Sequence, residues 1–140
     1  MRSVEIARSW IGTPYAHQAS CRGAGADCLG LVRGVLRELG GSEPSGIPPY
    51  SPDWCAPSVE ETLWVAARGC LRERPKEDVL PGRVLLFRMR GSGPAKHLGI
   101  ASEADRFIHA YSGYGVVESM LTAPWRRKVV ATFEFPQGDQ

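Results

Sequence analysis

No apolar stretch in the chain approaches the roughly 20 residues that a membrane-spanning helix needs, so no insertion into a membrane is expected. The N-terminus also lacks the hydrophobic core of a secretory leader. Glu5 and Arg8 interrupt its apolar content, which predicts synthesis in the cytoplasm without a signal peptide. Charge of one sign is scarce: 17 Lys and Arg against 15 Asp and Glu leave +2, too little to gather nucleic acid. The only dense basic run, Arg126-Arg127-Lys128, reads as a solvated strand edge. Cysteines and histidines are few and wrongly spaced for zinc. Cys21, Cys28, Cys55 and Cys70 form no C-x-x-C pair, and His17, His97 and His109 form no H-x-x-x-H, so neither a metal nor another cofactor is expected. In a reducing compartment the cysteines read as free thiols, with core packing the default for Cys21, Cys55 and Cys70. Gly23-Ala24-Gly25-Ala26 lacks the Gly-Lys-Ser/Thr ending of a phosphate loop and reads as slack in the chain.

What is present suits one domain spanning residues 1–140. Val4, Ala7 and Ile11, with Trp10 alongside, predict a helix after Ser3 that ends at Gly12-Thr13-Pro14. Residues 12–26 read as a loop, and Asp27 stands at an N-cap position. From Cys28 to about Leu39, the apolar spacing of Leu29, Val32, Leu36 and Leu39 predicts a second helix stopped by Gly40-Gly41. A Pro-rich connection leads to Ser58-Val59-Glu60-Glu61, a capping box for a third helix near 59–71. Beyond Pro81 the texture turns to short β-branched and aromatic runs at 84–87, 97–101, 107–111, 116–119 and 129–135. The expected class is α+β, with helices on one face of an antiparallel sheet of about five strands.

Cys28 falls in the first turn of the second helix. The positive end of the macrodipole there favours thiolate, which predicts a lowered pKa. A nucleophilic thiol needs an imidazole on a neighbouring element, and His97 and His109 lie on predicted strands. A hairpin turn centred on Glu103 would put His97 directly across from His109 on one face. One imidazole could then serve the thiol while the other orients it. A cysteine at a helix start is more often inert core, so spacing by itself leaves both readings open.

The wording of the motifs points further. Trp10-Ile11-Gly12-Thr13-Pro14-Tyr15, Asp27-Cys28-Leu29-Gly30-Leu31-Val32, Leu80-Pro81-Gly82-Arg83-Val84-Leu85-Leu86-Phe87, His97-Leu98-Gly99-Ile100-Ala101 and Phe107-Ile108-His109-Ala110 occur in order. Together they resemble the NlpC/P60 family of cell-wall cysteine peptidases, and among these the short, single-domain peptidases of phage tails. The resemblance implies a pared-down papain-like fold and cleavage of peptidoglycan stem peptides, typically between γ-D-glutamate and a diamino acid. It implies Cys28 as nucleophile, His97 as base, His109 as its orienter, and Tyr15 with the Cys28 N–H as oxyanion donors. Asp27 matches a position that binds the free amine of the stem peptide in some members, although a helix N-cap also accounts for it. His17 reads as rim or surface.

Two departures stand out: Leu29 replaces the serine that commonly follows the family cysteine, and no SH3-like or LysM-like wall-binding module accompanies the domain. Targeting is therefore expected from a phage-like tail or baseplate partner that carries the chain to the periplasm or cell wall. Two other readings stay open: a tail-tip adaptor with little activity, and an amidase or acyltransferase using the same Cys-His-His site.

Overall fold

The structure, a computed structural model, describes residues 1–43, 61–91 and 93–136. Helix α1 (Arg2–Ser9) starts two residues earlier than its spacing suggests and buries Ser3, Val4 and Ala7. Trp10, just past its end, is fully buried, whereas Ile11 is exposed, so the aromatic ring completes the apolar stripe. The indole N–H donates to Glu38 Oε2 at 2.8 Å, and Gly34 gives the ring its place: a Cβ there would lie 2.1 Å from Trp10. α1 is thereby locked to helix α2 (Cys28–Glu38).

Between these helices the expected loop contains a two-strand hairpin, β1 (Ser20–Cys21) and β2 (Gly25–Ala26). Gly25 is tightly placed, contrary to the reading of slack, whereas Gly23 turns in open space. Gly23 has φ +82° and donates its N–H to Thr13 Oγ1, and a Cβ on Gly25 would fall 2.7 Å from Ala16 Cβ. Cys21 is exposed on this hairpin rather than part of the core, because its two-residue strand has a solvent side. α2 buries one broad apolar face including Leu29, Leu31, Val32, Val35 and Leu36. It closes as expected at Gly40 (φ +86°): the Gly41 N–H donates to Leu36 O and the Gly40 N–H to Arg37 O, the paired bonds of a Schellman stop.

Helix α3 is described from Thr62 to Cys70. Ser58 of the expected capping box lies outside the described residues, as does Cys55. Glu61 stands at the N-cap with its carboxylate directed elsewhere, accepting from the Ala95 N–H at 2.7 Å and from Arg88 at 2.8 Å. Half-buried Cys70 packs against the core from this helix.

Among the described residues the sheet has six strands in the order β3-β8-β4-β5-β6-β7, all antiparallel: β3 (Arg72–Arg74), β4 (Val84–Phe87), β5 (His97–Glu103), β6 (Arg106–Tyr111), β7 (Gly115–Met120) and β8 (Val129–Glu134). The extra strand, β3, is a charged edge without alternation. One face carries Val84, Leu86, Leu98, Ile100, Ile108, Ala110, Ala131 and Phe133 against the helices. The other gathers Leu85, Phe87, Ala101, Phe107, Leu121 and Val129 under Trp125. Trp125 belongs to a short helix, α4 (Ala123–Arg127), so Arg126 and Arg127 end a helix and Lys128 caps it instead of forming a strand edge. Thr122-Ala123-Pro124 explains this start, since proline is preorganised for a first helical turn.

Candidate active site

Asp27 is the N-cap of α2: its Oδ1 accepts the Gly30 N–H at 2.7 Å, and its Oδ2 accepts the Gln18 N–H at 2.7 Å. The carboxylate is only 2% exposed and pins the loop to the helix start. Gly30 allows this approach, because a Cβ there would lie 1.8 Å from Ala19 O. His17 sits on the rim, with Nδ1 3.9 Å from Asp27 Oδ2.

Cys28 follows directly, buried in the first turn, and the Leu98 N–H of β5 stands close enough to act on its sulfur. That donor lies beyond the β5–β6 ladder, whose last pair toward the site is Ile100 with Ile108. The parting strands thus bring the helix N-terminus to backbone adjoining His97. The thiolate expected at this position is not favoured in the resting site. Burial above all, with Asp27 beside it, pushes the thiol up to about 12, against the helix-end N–H groups of Cys28 and Leu29 and that of Leu98. Burial, helped by His109, pushes His97 down to about 3, and burial pushes His109 down to about 4. The resting pair is thiol and neutral imidazole. Tyr15 stands close enough for Cys28 and Asp27 to act on it, and burial, then those two groups, raise its pKa, so its hydroxyl remains a donor.

The histidines meet by a route other than direct pairing. The turn falls at Ala104-Asp105, Ser102 makes a bulge, and the pairs are Ile100 with Ile108, Ala101 with Phe107 and Glu103 with Arg106. The Ser102 hydroxyl, bonded to Glu118 Oε2 at 2.6 Å, fastens that bulge to β7. Relative to a turn centred on Glu103 the register moves by two, which keeps every side chain on its face. His109 therefore lies over Gly99, diagonal to His97. A Cβ on Gly99 would come within 2.8 Å of the Phe107 ring and 3.4 Å of His109 Cβ, so the bare glycine makes room for the diagonal contact. His97 Nε2 and His109 Nδ1 are 2.7 Å apart, and His109 Nε2 is 2.9 Å from Ser119 Oγ on β7. Phe87, Phe107, Tyr111 and Trp125 surround the two imidazoles, with Phe107 4.2 Å from His109 between centroids.

Tyr15 is tied to the sheet as well. The Gly12 N–H donates to Val116 O, and the Val116 N–H donates to Thr13 O. Gly115, at φ +79°, permits this, since a Cβ would lie 2.6 Å from Thr13 O. Spacing missed Leu98, Gly99, Ser119 and Trp125. Ser119 ended a predicted strand, but only the true register puts it beside His109.

A buried thiol at a helix start, a shielded imidazole chain and a tyrosine over the same helix end are the parts of an acyl-transfer site. Comparison with known proteins agrees: the model of the NlpC/P60 family matches residues 12–134. The chain belongs to the NlpC/P60 family. Among its relatives, the probable endopeptidase NlpC of Escherichia coli is 30% identical over 114 residues, 81% of this chain and 63% of that protein. The gamma-DL-glutamyl hydrolase of Bacillus subtilis is 27% identical over 133 residues, 94% of this chain and 28% of that protein. The chain thus spans less than two thirds of either relative. The NlpC/P60 fold is equally plain in solved structures. The NlpC/P60 domain of the peptidoglycan hydrolase SagA superposes with a TM-score of 0.66 at 21% identity, covering 96% of this chain and 97% of that one. An NlpC/P60 protein from Bacillus cereus gives 0.68 at 18% identity, with 96% and 39% covered.

Proposed function

We propose that the protein is a cysteine endopeptidase that hydrolyses peptidoglycan stem peptides at the bond between γ-D-glutamate and the diamino acid. The observation that carries this reading is the buried thiol of Cys28 at the N-terminus of α2, facing the Leu98 N–H next to His97, within a family whose relatives are named endopeptidases and a gamma-DL-glutamyl hydrolase.

His109 engages His97 Nε2, which leaves Nδ1 as the base. During attack the thiol proton passes to His97 Nδ1 and sulfur bonds to the carbonyl carbon. The oxyanion is met by the Tyr15 hydroxyl and the Cys28 N–H, each such donor commonly supplying about 3–4 kcal/mol. Collapse breaks the C–N bond as His97 returns the proton to the leaving amine, giving a thioester. Water, deprotonated by His97, then releases the acid and restores the thiol. The carboxylate of Asp27 holds the loop through Gln18; by the resemblance it would also take the stem peptide's free amine, a contact that would share oxygens already accepting from Gly30 and Gln18.

Digestion of purified muropeptides tests the reading. The wild type is expected to release fragments ending in γ-D-glutamate and Cys28→Ala none; undiminished cleavage by the variant would overturn it. Product masses also separate the endopeptidase from an amidase or acyltransferase. Carriage on a phage-like tail follows from the resemblance to short tail peptidases, and it is tested by immunoblots of purified particles. A tail-associated band is expected; particles free of the chain would refute it.

A further inference from the structure

His97, His109 and Ser119 form a diagonal line across three adjacent strands. The β6–β7 register pairs His109 with Val117 and Phe107 with Ser119, so Ser119 is displaced two residues from direct opposition to His109. His109 bears the same relation to His97. The diagonal steps keep all three side chains on one face, and they bridge gaps of 2.7 and 2.9 Å. His97 and His109 are buried, whereas Ser119 is partly open, so the line runs outward from the thiol.

Each neutral imidazole carries one ring proton, and the contact between His97 and His109 works in only one of two directions. If His97 Nε2–H donates to His109 Nδ1, then His97 Nδ1 has a free lone pair for the thiol proton. If His109 Nδ1–H donates instead, His97 must carry its proton on Nδ1 and cannot act as a base toward Cys28. The productive direction puts the proton of His109 on Nε2, facing Ser119 Oγ.

We propose that Ser119 is a positioning residue: with its own proton turned to solvent, its Oγ accepts the His109 Nε2–H and holds His109 in the tautomer that receives from His97, which keeps His97 Nδ1 available to the thiol. No proton leaves His109 during turnover. When His97 takes up the Cys28 proton its Nε2–H still donates to His109 Nδ1, and the second bond to Ser119 anchors the ring. This rests on the reading of Cys28 and His97 as nucleophile and base.

The test compares Ser119→Thr, which keeps a hydroxyl, with Ser119→Val, nearly identical in shape and suited to a strand. Two readouts are needed. Nitrogen-15 NMR of the histidine rings reports which nitrogen is protonated, and His109 is expected as the Nε2–H form in the wild type and Ser119→Thr. In Ser119→Val the Nδ1–H form should grow. The rate of Cys28 alkylation by iodoacetamide at fixed pH, which needs no substrate, should fall about five- to tenfold in Ser119→Val, the effect of one ordinary hydrogen bond, and be restored by threonine. Wild-type tautomers and rates in Ser119→Val would overturn the proposal. His97→Ala separates the two levels: if it alkylates as fast as wild type, the base assignment itself fails, whereas a slow His97→Ala beside a fast Ser119→Val removes only the role of Ser119.

Discussion

Burial holds Cys28 and His97 uncharged together, so in the proposed reaction the proton would cross between them as the substrate carbonyl is attacked rather than beforehand. Among the charges acting on the sulfur, Asp27 opposes thiolate while the N–H groups of Leu98, Leu29 and Cys28 favour it. Replacing that carboxylate by its neutral amide should therefore lower the thiol pKa. Asp27→Asn is expected to alkylate faster at Cys28 than the wild type at pH 8, measured by peptide mapping that distinguishes exposed Cys21. The same variant should lose about 1 kcal/mol in urea denaturation, because an amide group cannot accept from both Gly30 and Gln18. A slower thiol would show that the carboxylate does not act on the sulfur as described.

At the scale of elements, the site depends on how β5 and β6 part. Gly99 sits where a methyl group would strike the Phe107 ring, which packs on His109, so Gly99→Ala should cost about 1–3 kcal/mol through overpacking and displace His109 from His97. Thermal denaturation read beside kcat checks this: a folded protein with kcat reduced at least tenfold is expected, and unchanged kcat would contradict the role given to the diagonal contact. The cap at Asp27, the apolar face of α2, its glycine stop and five strands were legible in the sequence because each depends on local periodicity or a terminal residue. The histidine register was not. The turn sits at Ala104-Asp105, and the bulge at Ser102 is stabilised by Glu118, a residue from another strand. The face shared by His97 and His109 was nevertheless correct, since a shift of two preserves alternation. Charge at β3 and the two-residue strands β1 and β2 left no pattern to read.

For the whole molecule, two buried histidines with depressed pKa values make stability depend on pH. Their unfolded values near 6.5 exceed the folded values of about 3 and about 4, so the unfolded chain binds more protons below neutrality. Their contribution is fully present above pH 6.5 and declines as pH falls from there, through about 4 for His109 and about 3 for His97, with a slope approaching 1.4 kcal/mol per unit for each histidine. Urea midpoints between pH 7.5 and 5 should fall accordingly, and the double variant His97→Gln, His109→Gln should lose most of that slope. Equal slopes would contradict the neutral pair.

The most direct measurement of the central claim is mass spectrometry of the protein quenched with acid during turnover of a γ-D-glutamyl–diamino acid stem peptide, followed by peptide mapping. The account predicts an acyl adduct on the peptide bearing Cys28, absent from Cys28→Ala and accumulating only while substrate remains. Full turnover with no adduct in the wild type and undiminished cleavage by Cys28→Ala would contradict it.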